Sequence, residues 1–169
     1  AFYDPRTALP NRRLLLERLQ RAMTLARRNG QHGALLFVDV DNFKQINDEH
    51  GHHAGDLLLQ EIASRLSRVV READTVARIG GDEFVIVLEH LHEEPALART
   101  EARQIAAKAL LAMAKPYDLE GLVYHSSGSI GIAMFNAKEI DLDMLMRQAD
   151  EAMYQAKHAG KNTVHLHGG

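Results

Sequence analysis

Two apolar, β-branched runs at 75–79 and 84–88 flank Gly80-Gly81-Asp82-Glu83, and this arrangement predicts a β-hairpin whose tight turn presents two acids. The hairpin commits this part of the chain to an antiparallel strand pair. Glycine takes a positive φ without penalty, which suits a short turn, and without a Cβ it lets the backbone come close to a phosphate. Asp82 and Glu83 leave the turn side by side, and paired carboxylates of this kind suit a hard cation. The segment reads as a metal-dependent nucleotide site, although a Gly-Gly-acid hairpin taken alone is more often a structural turn.

An acidic segment upstream strengthens the reading. Residues 34–41, Ala-Leu-Leu-Phe-Val-Asp-Val-Asp, form an apolar run expected for a strand covered on both faces, yet the run ends in two carboxylates spaced for one face. An unpaired carboxylate there is costly to bury, and a bound Mg²⁺ would relieve the cost. Asp39, the Val40 carbonyl and Asp82 are the expected ligands. The alternative is structural: Asp39 pairs with Lys44 or Arg78, and Asp41 caps the helix that follows. For Asp41 the capping role is the expected one.

Five segments in order carry a resemblance across nearly the whole chain. They are the opening Asp4-Pro-Arg-Thr-Ala-Leu-Pro-Asn11-Arg12, Phe37-Val-Asp39-Val-Asp41-Asn-Phe43-Lys44-Gln-Ile-Asn47-Asp48, Gly51-His52-His-Ala-Gly55-Asp56, Gly80-Gly81-Asp82-Glu83-Phe84, and Ala149-Asp150-Glu-Ala-Met-Tyr154-Gln-Ala-Lys157-His-Ala-Gly-Lys161-Asn162. Together they resemble the GGDEF domain, the diguanylate cyclase family of bacterial signalling proteins. The resemblance implies condensation of two GTP molecules to cyclic di-GMP with release of pyrophosphate, in a homodimer whose two facing domains each supply half of the reaction. It implies Mg²⁺ or Mn²⁺, two ions per site, held by Asp39, Val40, Asp82 and Glu83.

Carried over residue by residue, Asn47 and Asp56 match the groups that hydrogen-bond guanine, a role their chemistry suits because an amide and a carboxylate together read the donors and acceptors of that edge. Asp56 is also expected to cap the next helix. Lys44 matches a lysine near the triphosphate, where positive charge offsets the charge that develops in phosphoryl transfer. His52, Gly80 and Gly81 match further substrate contacts, and Lys157 and Lys161 match a basic pair at the terminal phosphates. Position 161 is usually arginine, so a forked contact becomes a point charge. Asp82 or Glu83 is the general base, and the residues leave both open. Arg71 and Asp74 match an R-x-x-D site that binds the product and inhibits the enzyme, completed by Arg99 or Arg103; in isolation the same spacing is a common ion pair. Arg6 and Ala8 depart from the leucine and glycine usual in the opening motif. A non-catalytic module that binds cyclic di-GMP or GTP to regulate an attached domain is the alternative function, and a different nucleotidyl-transfer enzyme of the same fold, such as one preferring ATP, is a more distant one.

The remaining features agree with one α/β domain spanning 1–169, excised from a longer regulatory protein. At 169 residues and 46% hydrophobic content the chain can bury a sizeable core. A net charge of −3 gives no basic surface for nucleic acid, and no apolar run is long enough to span a membrane. The chain has no cysteine, which excludes disulfides and thiolate metal sites and is compatible with a cytoplasmic location, including the cytoplasmic part of a membrane-anchored sensor. His50, His52 and His53 flank a glycine loop and are not expected to form a metal site. Periodicity predicts helices near 11–29, 42–50, 56–72, 96–114 and 141–159, with strands at 34–40, the hairpin, 124–135 and a short last strand. That order suits a mixed, largely antiparallel sheet flanked by helices, palm-like and similar to nucleotidyl cyclases and ferredoxin-like folds. The segment after Phe135 is short, and its path into the last helix is left open.

Overall fold

The run at 34–40 becomes the middle strand of the sheet, and its position explains why it is apolar throughout. In the computed structural model, which describes residues 1–136 and 140–169, β1 (His32–Val40) lies between β3 (Glu83–Leu91) and β6 (Gly128–Phe135), antiparallel to both. Outside them, β2 (Thr75–Gly80) pairs antiparallel with β3, and β7 (Thr163–Leu166) pairs parallel with β6, giving the order β2-β3-β1-β6-β7. The expected mixed, largely antiparallel sheet with helices on both faces is the observed one.

Successive side chains of β1 serve opposite faces. Leu36, Val38 and Val40 join Phe84, Ile86, Leu88, Ile130 and Ile132 in a core that includes residues of α2 (Phe43–His50), α3 (His52–Val69) and α4 (Pro95–Ala114). Leu35 and Phe37 join Val85, Val87 and Ala133 in a second core that includes residues of α1 (Arg12–Asn29) and α5 (Leu142–His158). Burying each such aliphatic side chain contributes about 1.5–3 kcal/mol, so a strand with two covered faces has no place for the polar half of an alternating pattern. At Gly131 the approach of α5 is so close that an added Cβ would lie 2.0 Å from the Met153 amide nitrogen.

Several sequence expectations need correction. α3 starts at His52, not near 56, and Gly51, with φ of 88°, separates it from α2. Asp56 therefore sits inside the helix and does not cap it. α3 also ends at Val69, so Arg71 lies beyond the helix. Asp41 is not a cap either: α2 is preceded by Asn42 in the left-handed region, and the Asp41 carboxylate turns inward. On α4 the buried stripe is Ala98, Ala102, Ala106, Ala109 and Met113, with Ile105 only half-buried beside it. The strand expected from 124 begins at Gly128, preceded by a small unpredicted hairpin of β4 (Tyr117–Leu119) and β5 (Leu122–Tyr124). Its turn, Glu120-Gly121, has left-handed φ at both residues. The link from Phe135 to α5 falls partly on residues 137–139, outside the described residues.

Candidate active site

The signature hairpin closes as expected, but not for the reason given. Gly80 pairs with Glu83 across a turn at Gly81-Asp82, and neither glycine takes a left-handed φ. What the glycines provide is space. Nothing lies within 4 Å of a Cβ built on Gly81, whereas one built on Gly80 would lie 3.0 Å from Glu83 Oε1. A cleft of about 330 Å³ adjoins this turn, lined by Asp4, Asn11, Arg12, Arg13, Arg78 and both glycines.

The ladder carries the turn to the end of β1. Asp39 is registered opposite Glu83, and the Val40 amide donates to the Asp82 carbonyl at 3.2 Å. The Asp39 and Asp82 carboxyls are consequently close enough for each to act on the other's charge. Asp39 Oδ1 is buried with no hydrogen-bond partner. Burial first, and then the Asp82 carboxylate, push Asp39 from the ordinary 3.8 up to about 7, although Lys157 Nζ stands 3.2 Å from its Oδ2 and acts in the opposite direction. Two acids pressed together with an orphaned oxygen fit a divalent cation, which would replace a shared proton and neutralise both. Among the described residues no three acids or histidines gather closely enough to hold a metal by side chains alone. The donor set is thus two carboxylates, with backbone oxygen, water or phosphate to complete it. Glu83 is also held above the ordinary range, by burial and by the charges of Asp82 and Asp150.

Asp41 anchors the basic end of α5. Its carboxylate accepts from Ser127 Oγ and Ser129 Oγ at 2.6 Å each, from the Asn162 amide at 3.0 Å, and from Lys157 Nζ at 3.4 Å. These bonds hold its carboxyl below the ordinary value despite burial. Lys157 thus rests between Asp39 and Asp41, and Lys161 Nζ donates to Asn42 Oδ1 at 2.6 Å. Sequence reasoning missed this use of Asp41; the signal was the pair of serines before and within β6.

On the other side of β1, Asn47 of α2 and Asp56 of α3 come together because α3 packs directly against α2. Gly55 makes this possible, since a Cβ there would lie 1.9 Å from Asn47 Oδ1. That oxygen is buried and has no partner. The Asp56 carboxylate accepts from Arg6 Nη1. Lys44 is exposed in the first turn of α2, and His52 is exposed at the start of α3. His53 pairs with Glu120 at 2.9 Å and His50 meets the Tyr124 ring edge-on, so these two serve the β4–β5 hairpin.

Arg71 and Asp74 lie at the opposite end of β2. The Asp74 side chain is fully buried and both oxygens are in use: Oδ2 accepts from the Arg71 amide and Nε, and Oδ1 from the Glu89 amide. Arg71 Nη2 donates to the Glu89 carbonyl at 2.6 Å. A cleft of about 430 Å³ borders Asp74, lined also by Arg18, Arg21, Glu89 and His90. Arg103 is not among its lining residues; it lines a separate cleft with Val164, His165 and Leu166, and Arg99 lines neither.

Known proteins share this arrangement. Residues 1–163 match the family described as diguanylate cyclase, GGDEF domain. The chain is 45% identical over 162 residues to the bifunctional diguanylate cyclase/cyclic di-GMP phosphodiesterase MucR of Pseudomonas aeruginosa, covering 96% of this chain and 23% of that protein. It is 41% identical to the diguanylate cyclase DosC of Escherichia coli, covering 96% of this chain and 34% of that protein. The chain thus spans about a third or less of the length of these two relatives. A solved structure of the GGDEF domain of TpbB from Pseudomonas aeruginosa superposes with a TM-score of 0.91 at 38% identity, covering 98% of this chain and 94% of that one. The GGDEF domain of DgcB from Caulobacter crescentus, solved in complex with c-di-GMP, superposes with a TM-score of 0.88 at 27% identity, covering all of this chain and 97% of that one. No described helix is long and apolar enough to cross a membrane. With its palm-like sheet, its hairpin acids and these relatives, the chain belongs to the diguanylate cyclase, GGDEF-domain family.

Proposed function

We propose that this domain condenses two GTP molecules to cyclic di-GMP, each domain of a homodimer holding one GTP. In each of two steps a ribose 3′-oxygen bonds to the α-phosphorus of the facing GTP, the bond to the β,γ-phosphates breaks, and pyrophosphate leaves while the 3′-hydroxyl proton passes to a base. The observation that carries the reading is the Asp39–Asp82 pair, whose orphaned oxygen lies at the end of β1 beside an open Gly-Gly turn. Asp39, Asp82 and the Val40 carbonyl would hold Mg²⁺ or Mn²⁺, which when bound would neutralise phosphate charge and lower the barrier to displacement. Glu83, raised in pKa and adjoining the turn, is the acid better suited to receive the 3′-hydroxyl proton, which leaves Asp82 to the cation.

Asn47 and Asp56 read the base: the unpaired Asn47 oxygen and the Asp56 carboxylate accept from guanine N–H groups that adenine does not offer in that pattern. Lys44, His52, Lys157 and Lys161 hold the triphosphate, and Lys157 leaves Asp39 as it does so. Arg71 and Asp74 form a product site, a reading supported by their mutual hydrogen bonds and by the cleft at Asp74, which Arg71 itself does not line. Its ligand has to share a carboxylate that is already fully bonded.

Incubating the domain at high concentration with GTP and Mg²⁺, beside Asp82→Ala, and resolving the nucleotides by chromatography tests the reading. Cyclic di-GMP from the unmutated protein alone supports it. No product, even when two copies are joined through a dimeric coiled coil, leaves a nucleotide-sensing module.

A further inference from the structure

Arg6 occupies a position that the reaction above does not use. The opening loop folds back on itself: the Asp4 amide donates to the Leu9 carbonyl, Ala8 takes a left-handed φ of 63°, and Asp4 accepts from Thr7 and from Arg78 Nη1. The loop therefore lies between the signature hairpin and α3. On the α3 side it is fixed twice, by Gln60 Nε2 donating to the Arg6 carbonyl at 3.2 Å and by Arg6 Nη1 on Asp56 Oδ1, and Asp56 and Gln60 are one helical turn apart on the same face.

The consequence concerns hydrogen-bond type. Asn47 Oδ1 and the Asp56 carboxylate are acceptors, suited to the N1–H and 2-amino donors of guanine. Those oxygens offer nothing to its O6 and N7, which are acceptors themselves, and of the two residues only Asn47, through its Nδ2, carries N–H donors. Arg6 brings five N–H donors in a fixed fork to this edge of the domain. One is spent on Asp56, and the guanidinium Nε and Nη2 have no protein partner among the described residues. Adenine carries an amino donor where guanine has O6, so donors at that place favour guanine and oppose adenine.

We propose that Arg6 is a specificity-determining residue of the base site, holding Asp56 by one oxygen and offering its free N–H groups to the O6 and N7 face of guanine. The inference rests on the reading of Asn47 and Asp56 as the base site. An exposed ion pair holds a side chain only weakly, so this Arg6–Asp56 contact can open and reclose around an entering base.

Displacement of a fluorescent GTP analogue, with Ca²⁺ replacing Mg²⁺, gives affinities for GTP, inosine triphosphate and ATP. Inosine triphosphate keeps O6 and N7 but lacks the 2-amino group. Arg6→Leu is expected to weaken GTP and inosine triphosphate alike, by about tenfold, and to leave ATP unchanged or tighter; Arg6→Lys, which keeps charge without the fork, falls between. Asp56→Asn is expected to weaken GTP more than inosine triphosphate, because it removes the acceptor for the 2-amino group. A merely structural loss would weaken all three nucleotides together. If Arg6→Leu unfolds, Arg6→Lys carries the same test. GTP binding that is unchanged or tighter in Arg6→Leu, while Asp56→Asn loses affinity, overturns the role of Arg6 alone. Unchanged binding in both Asp56→Asn and Asn47→Ala overturns the base-site reading, and this inference with it.

Discussion

Two half-buried aspartates, Asp39 and Asp74, sit near strand ends of the same sheet, and their surroundings are opposite. Asp74 has each oxygen bonded, to the Arg71 amide and guanidinium and to the Glu89 amide, so any ligand there has to share a carboxylate that is already satisfied. Asp39 faces Asp82, keeps one oxygen without a partner, and holds its proton up to about pH 7. A satisfied carboxylate contributes to stability, whereas an unsatisfied one costs stability and is poised for a ligand. The same contrast separates Asn47, with its orphaned oxygen, from Asp41, which accepts four hydrogen bonds.

Substitution at the two aspartates should break the comparison most visibly. Asp39→Asn is expected to abolish cyclic di-GMP formation, by at least about a thousandfold, yet to raise the unfolding temperature of the metal-free domain at pH 8, because it removes a repelled, buried charge. Asp74→Ala is expected to do the reverse to the fold, costing about 2–4 kcal/mol in denaturant unfolding as the Arg71 and Glu89 amides lose their acceptor. Equal stability effects at both positions would contradict the contrast.

Gly55→Ala sharpens it at the proposed base site. The new methyl would displace Asn47 Oδ1, so GTP affinity should fall about tenfold, with a stability loss of about 1–3 kcal/mol.

A pH series gives a smaller effect with a definite sign. Native Asp39 keeps its proton to about pH 7 while an unfolded aspartate loses it near 3.8, so the native state binds more protons across that window. Its contribution to stability therefore falls as pH rises from about 4 to about 7. A cation needs the deprotonated carboxylate, so the rise in unfolding temperature on adding Mg²⁺ should be small at pH 5.5 and larger at pH 8. A metal shift independent of pH would separate the cation from Asp39.

The smallest effect is expected at Lys161, which lies at the basic end of α5 in left-handed φ and bonds Asn42. Lys161→Arg restores a forked contact and should lower KM for GTP about two- to fivefold, with little change in kcat. Steady-state rates over a GTP series would detect it.

Much of this was legible in the sequence where one physical cause governed. The apolar run at 34–40 could only be a strand covered on both faces, and the hairpin followed from two runs separated by a glycine pair. That Asp39 needs a partner was legible for a related reason: an acid at the end of such a run is costly to bury alone, and it stands against Asp82 and Lys157. Legibility failed where partners come from distant segments. Asp41 reads locally as a cap, and only the return of β6 and the loop after α5 brings Ser127, Ser129 and Asn162 to it. Gly51 and Gly55 read locally as a loop, but Gly55 is helical because close packing of Asn47 excludes a side chain there. The opening loop's arginine read as an incidental departure, and its contact with Asp56 lies fifty residues away. Arg103 was one of two candidates on the fourth helix, and it lines a cleft separate from the one at Asp74.

The most direct test is carboxyl-carbon NMR of Asp39, titrated with and without Mg²⁺ and a GTP analogue that cannot react. The account predicts titration near pH 7 in the free domain, shifting below the ordinary carboxylate range when cation and nucleotide are added together. Titration near pH 4 that ignores both additions would show that Asp39 is a satisfied carboxylate with no need of a cation, and would contradict the assignment of the metal and reaction centre to the end of β1.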